Sequence, residues 1–197
     1  SRAMRIAVGI SGASGTVYGQ RLVQRLVEAG VDVVLTASAT LAKLVPLEIG
    51  GTFDPADPDL EAFLGADVAA KVAYRRPDNV GADVASGSFR CDGVVICPAS
   101  TGLLGRVATG ASTNLLERMC EVALKEGRRL VLVPRETPLS VITLRSMLTL
   151  AEAGAAILPA SPGFYHQPES VDDLVDFIVQ KVLDRLGVDV DLVRRWS

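Results

Sequence analysis

Arg5-Ile6-Ala7-Val8-Gly9-Ile10-Ser11-Gly12-Ala13-Ser14-Gly15, followed by Thr16-Val17-Tyr18-Gly19-Gln20-Arg21-Leu22, is the stretch on which the fold turns. Ile6, Val8 and Ile10 alternate with small residues as in a buried strand. The glycines at 9, 12 and 15 then permit a sharp turn into a helix carrying Leu22, Val23, Leu26 and Val27 on one face. A strand, a glycine-rich turn and a helix N-terminus make an anion cradle, because the free N–H groups of the first turn and the positive end of the helix dipole favour a phosphate. Ser11 and Ser14 add hydroxyls at its rim. The glycine spacing is not G-x-G-x-x-G and no lysine follows as a phosphate loop needs, so neither nucleotide fingerprint is present. The same glycines would also serve simply to bring helix and sheet together, and both readings stay open at this point.

Working outward, residues 31–36 read as a second strand ending in Ala37-Ser38-Ala39-Thr40, with Ser38 placed as a helix N-cap or a phosphate ligand before a helical pattern over 41–47. Turn residues fill 50–59, and a short helix over 60–64 with a strand near 72–74 reads as an excursion from the main sheet. The polar loop 75–90 is long enough to suggest a functional or interface role. Continuous apolar runs at 93–97, 130–133 and 155–158 are of the buried parallel-strand type, and helical patterns over 103–108, 114–126, 141–153 and 171–186 separate and follow them. Strands alternating with helices at short intervals predict an α/β fold, a single-domain doubly wound parallel sheet spanning 1–197. Ligands in such sheets bind at the carboxyl ends of the strands, where every polar corner of this chain falls.

Composition narrows the function. The chain has 197 residues, 49% of them hydrophobic, enough for a sizeable core, and a net charge of −3 offers no basic field for a nucleic-acid backbone. No apolar run reaches the roughly 18 residues of a membrane span and the N-terminus lacks a signal-peptide pattern, so a cytoplasmic protein is expected. Cys91, Cys97 and Cys120 are odd in number and lack C-x-x-C spacing, which predicts reduced core or interface cysteines rather than a disulfide framework or a zinc site.

Three constellations carry charge to the rim. Pro134-Arg135-Glu136-Thr137-Pro138 holds a charged pair between two prolines directly after a strand, either facing a ligand or forming a structural ion pair. Asn114, Arg118 and Lys125 lie along one helix, and the two cations would meet an anion or remain solvated. Gly163-Phe164-Tyr165-His166-Gln167-Pro168 contains the only histidine, which alone reads as a hydrogen-bonded structural residue more readily than as a catalyst.

At these residues the sequence resembles a known family. Gly-Ala-Ser-Gly at 12–15, Cys-Pro-Ala-Ser-Thr-Gly at 97–102, Ala-Thr-Gly-Ala-Ser-Thr-Asn-Leu-Leu-Glu-Arg at 108–118, Ala-Leu-Lys-Glu at 123–126, Leu-Val-Pro-Arg-Glu-Thr-Pro-Leu at 132–139 and Pro-Gly-Phe-Tyr-His-Gln-Pro at 162–168 are similar, nearly end to end, to the UbiX flavin prenyltransferases. The resemblance implies a Rossmann-like flavoprotein that joins a dimethylallyl group from dimethylallyl monophosphate to reduced FMN, at N5 and C6, without a metal. The product is the prenylated FMN of UbiD-type decarboxylases, and the family precedent for assembly is a homododecamer with sites built across subunit contacts.

By the same resemblance Lys125, Arg135, Tyr165 and Lys181 would hold the substrate phosphate, and Glu136 would relay protons with Ser14 beside it. Glu48 matches a glutamate lining the family's site. Gly12, Ala13, Ser14, Ser38 and Arg118 would hold the flavin phosphate end, Ser100, Thr101 and Gly102 would lie along the flavin, and Trp196 would shield the allylic cation. Two positions depart from the family pattern: Lys181 replaces an arginine, so a fork becomes a point charge, and the loop near Val80 lacks a tryptophan. A flavin-dependent cysteinyl decarboxylase of the same fold is the enzymatic alternative, although such enzymes depend on an early histidine and the first 165 residues here contain none. A non-catalytic FMN-binding protein is the third class, and it would have no need of Lys125, Arg135 and Glu136.

Overall fold

The computed structural model describes residues 2–193. Strand β1 (Arg5–Ile10) is buried on both sides because its large and small residues serve different layers. Ile6, Val8 and Ile10 join Leu22, Val23 and Leu26 of α1 (Thr16–Glu28) and Ile178, Val179 and Val182 of α8 (Val171–Leu186) in one core cluster. Ala7 faces a second cluster with Leu103 and Leu104 of α5 (Thr101–Ala108) and Leu116 and Met119 of α6 (Leu115–Lys125). On that face Gly9 is needed for close approach, since a Cβ there would lie 3.0 Å from Leu116 Cδ2 and 2.7 Å from Ile96 Cδ1. The result is a three-layer α/β arrangement with a core on each side of the sheet.

The sheet contains β2 (Asp32–Ala37), β3 (Val72–Tyr74), β4 (Gly93–Ala99), β5 (Arg129–Pro134) and β6 (Ala156–Ile157) besides β1, in the order β3-β2-β1-β4-β5-β6. Every pairing is parallel. The expected doubly wound sheet is therefore present, and the strand order reverses between β1 and β4, whose carboxyl ends open the crevice that such sheets use for ligands.

Helices α2 (Leu41–Glu48), α3 (Leu60–Leu64), α4 (Ala66–Ala69) and α7 (Val141–Glu152), with a 3-10 turn over Asp83–Ala85, complete the described elements.

One expectation needs correction. The stretch 72–74 is not an excursion but the edge of the main sheet, with Val72 opposite Val33 and Tyr74 opposite Leu35, and Arg75 N extends the ladder to Leu35 O. The loop 75–90 folds back on its own chain, burying Ala82 and Val84 in the α6 cluster, and Arg75 grips Asp83 through Nε (3.0 Å) and Nη2 (3.2 Å). The three cysteines are free and buried, as expected. Among the described residues no helix is long and apolar enough to cross a membrane.

Candidate active site

The crevice is fastened at its base by Ser11. This buried side chain donates to Pro98 O (2.7 Å) and accepts from Ser100 N (2.8 Å), tying the carboxyl end of β1 to that of β4. Ser100 in turn caps α5, its Oγ accepting from Leu103 N, so the turn Ser100-Thr101-Gly102 is held rigidly at the switch point.

The N-terminus of α1 differs from the expected open cradle. Glu48, the last residue of α2, takes its first amides: Oε1 accepts from Gly15 N (2.8 Å) and Thr16 N (3.1 Å). An exposed carboxylate at the positive end of the dipole is electrostatically favoured there, so a protein anion occupies the position that the glycine pattern assigns to phosphate. Gly15 adopts φ 109°, a left-handed conformation suited to glycine, and a Cβ on it would lie 3.9 Å from Arg135 Cδ. Ser14 is exposed in the same turn.

Arg135 follows β5 and reaches this turn from the other side of the crevice. Its Nε is buried without a hydrogen-bond partner, and Arg135 forms no ion pair with Glu136 among the described residues, so the structural-pair alternative fails. Glu136 is exposed, and its Oε1 accepts from Thr137 N (3.0 Å). Tyr18, beside both Cys97 and Arg135, has its phenol held above the usual range by burial, with Cys97 adding to the effect and the Arg135 charge opposing it.

A second corner lies after β2. Ser38 is not the cap of α2, whose N-cap is Thr40. Instead the Ser38 and Thr40 hydroxyls pair at 2.9 Å, and a Cβ on Gly12 would collide with Thr40 Oγ1, so the β1 and β2 loops touch here. Thr40 escaped the sequence reading because only the direction of α2 brings it over Gly12. Arg118 stands in the first turn of α6, which starts at the same rim where Leu115 N meets Pro77 O, and it lies 3.8 Å from Glu121. Asn114 is the cap of α6 rather than an anion ligand, its Oδ1 accepting from Glu117 N.

Tyr165, His166 and Lys181 gather around Phe177 of α8. The Phe177 ring centroid is 5.7 Å from that of Tyr165 and 5.1 Å from that of His166, and 5.6 Å from Lys181 Nζ. His166 is held by stacking, since both ring nitrogens are buried and make no hydrogen bond among the described residues, contrary to the expected hydrogen-bonded role. Beside it a cavity of about 540 Å³ lies between the loop after β6 and α8, lined by Leu158, Pro159, Ser161, Phe177 and Lys181. Ala160 N bonds Pro134 O (2.9 Å), so that loop begins next to Arg135.

The chain matches known proteins along nearly its whole length. The family model described as Flavoprotein matches residues 1–183. A Pseudomonas aeruginosa protein named flavin prenyltransferase UbiX is 47% identical, over 98% of this chain and 94% of its own. The chain belongs to the UbiX flavin prenyltransferase family. It is similar in structure to AnUbiX (PadA1), solved in complex with FMN and dimethylallyl pyrophosphate, with a TM-score of 0.88 and 36% identity over 100% of this chain and 98% of that one. A dodecameric FMN-dependent UbiX-like decarboxylase from Escherichia coli O157:H7 matches with a TM-score of 0.86 and 39% identity, covering 98% of this chain and all of that one.

Against the UbiX resemblance, the chain brings Ser14, Glu48 and Arg135 together and sets Tyr165 and Lys181 around Phe177, but it separates Lys125 from all of them. Helix α6 begins at the carboxyl rim and ends at the amino edge, just before β5 starts at Arg129, so Lys125 stands at the far end of the sheet, 3.6 Å from Glu126. Trp196 lies outside the described residues. A buried pair also went unread: Glu117, wholly inaccessible, accepts from Arg106 Nε (2.9 and 3.0 Å), Thr113 N and Thr113 Oγ1 (each 2.9 Å). The spacing of Asn114 and Glu117 is that of a capping box and was the available signal. Burial alone would raise the Glu117 pKa, yet the Arg106 and Thr113 hydrogen bonds prevail and hold it below the usual range.

Proposed function

We propose that the chain transfers a dimethylallyl group from dimethylallyl monophosphate to reduced FMN, giving the prenylated FMN consumed by UbiD-type decarboxylases. The observation that carries this reading is Arg135: a cation with a buried, unpartnered Nε, aimed at the Gly15 turn from across the switch-point crevice, fits a ligand bearing phosphate and electron-rich heteroatoms. The close approach of Gly12 to Thr40, with the Ser38 hydroxyl beside it, fits the flavin phosphate better than the α1 amides that Glu48 occupies. Gly12, Ala13, Ser14, Ser38 and Arg118 would hold that end, and Ser100 and Thr101 the ring.

Reduced FMN, when bound, supplies the nucleophilic N5 and C6 positions. The chain's own residues do the remaining work. Arg135, Tyr165 and Lys181 place positive charge and a hydroxyl on the departing phosphate, which lowers the cost of breaking the allylic C–O bond. Glu136, with no salt-bridge partner among the described residues, is free to hold a proton and deliver it to the leaving oxygen, with Ser14 and Glu48 across the crevice. The exposed Tyr165 ring, packed edge-on against Phe177, favours an allylic cation over bulk water.

The position of Lys125 supports a site completed by another copy of the chain. Helix α7 supports an assembly too, since Val141, Ile142, Leu144 and Leu148 are exposed on it beside Leu139. A homododecamer, as in the Escherichia coli neighbour, is the proposed form. The test is anaerobic incubation of the protein with reduced FMN and either the mono- or the diphosphate donor, followed by mass analysis. A flavin heavier by one C5 unit is expected with the monophosphate, and unmodified flavin with both donors would overturn the assignment.

A further inference from the structure

Arg106 is bound on one side only. Its Nε and Nη2 are committed to Glu117, which is 0% exposed and further fixed by Thr113, yet the Arg106 side chain remains 43% exposed. The open side is the Nη1 edge. Nη1 lies 3.1 Å from where a Cβ on Gly102 would stand and makes no hydrogen bond among the described residues. Gly102 is exposed in the first turn of α5, directly after the Ser100 cap that Ser11 ties to the switch point. A guanidinium clamped by a buried carboxylate keeps its direction without losing its free donors, and the missing Cβ at Gly102 leaves its path clear.

We propose that Arg106 presents its Nη1 edge across Gly102 as a fixed positive charge that favours the reduced, anionic flavin over the oxidised, neutral one. This rests on the FMN site proposed above. Reduced flavin loses a proton near neutral pH and carries the resulting charge on the N1 and C2 carbonyl region, so a cation held at the ring-binding turn binds it more tightly than the oxidised form. The enzyme would thereby select the redox state that has the nucleophilic character its reaction needs. Arg106 acts here as a binding and specificity residue, with Glu117 as its positioning partner.

The experiment measures FMN affinity in both redox states, anaerobically for the reduced one, with the reduction potential of bound FMN as a second readout. Arg106→Gln alone would strand the Glu117 charge, so the primary variant is Arg106→Gln with Glu117→Gln, which keeps a hydrogen-bonded pair without charge. It is expected to bind oxidised FMN within about threefold of the parent and reduced FMN at least about tenfold more weakly, a fall in potential of about 30 mV for each tenfold. Gly102→Ala crowds the Nη1 edge without removing the Arg106 or the Glu117 charge. It should shift the affinity ratio the same way by about threefold, and it decides the matter if the double variant does not fold. An unchanged ratio, whether both affinities hold or both fall together, would overturn the inference. Failure of the parent protein to bind FMN in either state would instead overturn the flavin reading itself.

Discussion

Glu136 and Glu48 are two exposed carboxylates of one crevice with different surroundings, and substitution should separate their roles. Among the described residues the Glu136 side chain accepts only the neighbouring Thr137 N–H, so Glu136→Gln keeps an acceptor and leaves no buried charge unpaired. If it relays the proton to the leaving phosphate, folding and FMN binding persist while single-turnover formation of prenylated flavin slows by about 10² or more. Near-normal turnover in a folded, FMN-loaded variant would pass the role to Ser14 or Glu48. Glu48 is a cap as well as a candidate site residue, since it satisfies two amides of α1. Glu48→Ala should therefore cost about 1 kcal/mol of stability, a fall in melting temperature of about 2–4 °C, whereas Glu48→Gln should recover part of it. A melting temperature equal to the parent's would show that water replaces the carboxylate without loss.

Helix α1 packs closely against β4 at the crevice. A Cβ on Gly19 would collide with the backbone carbonyl of Cys97, and a carbonyl in a paired strand cannot yield as a side-chain tip does. Gly19→Ala should cost about 2 kcal/mol or more and lower the melting temperature by roughly 4–8 °C, checked by thermal unfolding beside the parent. At the junction of α5 and α6 the stabilising pair is Arg106 with Glu117. Because the folded pKa of Glu117 is depressed, its contribution is fully present above the ordinary value of 4.5 and is lost as pH falls through the folded value. Stability measured from pH 7 down to pH 3 should decline less steeply in the Arg106→Gln, Glu117→Gln protein, and an equal slope would show that other carboxylates dominate. Elements with one strong period were legible in the sequence: β1 and α1 from alternation followed by a helical stripe, and α8 to the residue. β3 could be read as a strand but not as part of the main sheet, because three residues with an exposed Ala73 carry too little pattern to reveal that they pair with β2. The rim corners could be read from strand ends. The bonds from Glu48 to Gly15 and from Arg106 to Glu117 could not, since each depends on where a helix ends in space.

At the scale of the whole molecule the placement of Lys125 is decisive. It stands at the amino edge of the sheet and Arg135 at the carboxyl rim, so one copy of the chain cannot bring the two cations to one phosphate. If both hold the substrate phosphate, each site takes Lys125 from one copy and Arg135 from another. Lys125→Ala and Arg135→Ala proteins, assembled separately, should each show little prenyl transfer while remaining folded. Dissociated and reassembled together at equal amounts, random mixing gives about one quarter of the sites a native Lys125 and a native Arg135 from different copies, so activity should return to about that fraction of the parent value. Were both residues needed from the same chain, no hybrid site would be complete and mixing would restore nothing. The apolar α7 face supplies a control on the assembly, since Ile142 is 75% exposed and Leu148 60% exposed in the isolated chain. Ile142→Asp with Leu148→Asp should reduce the assembled mass seen by light scattering and, in the mixed sample, abolish complementation. Restored activity in particles that scatter as monomers would refute the shared site.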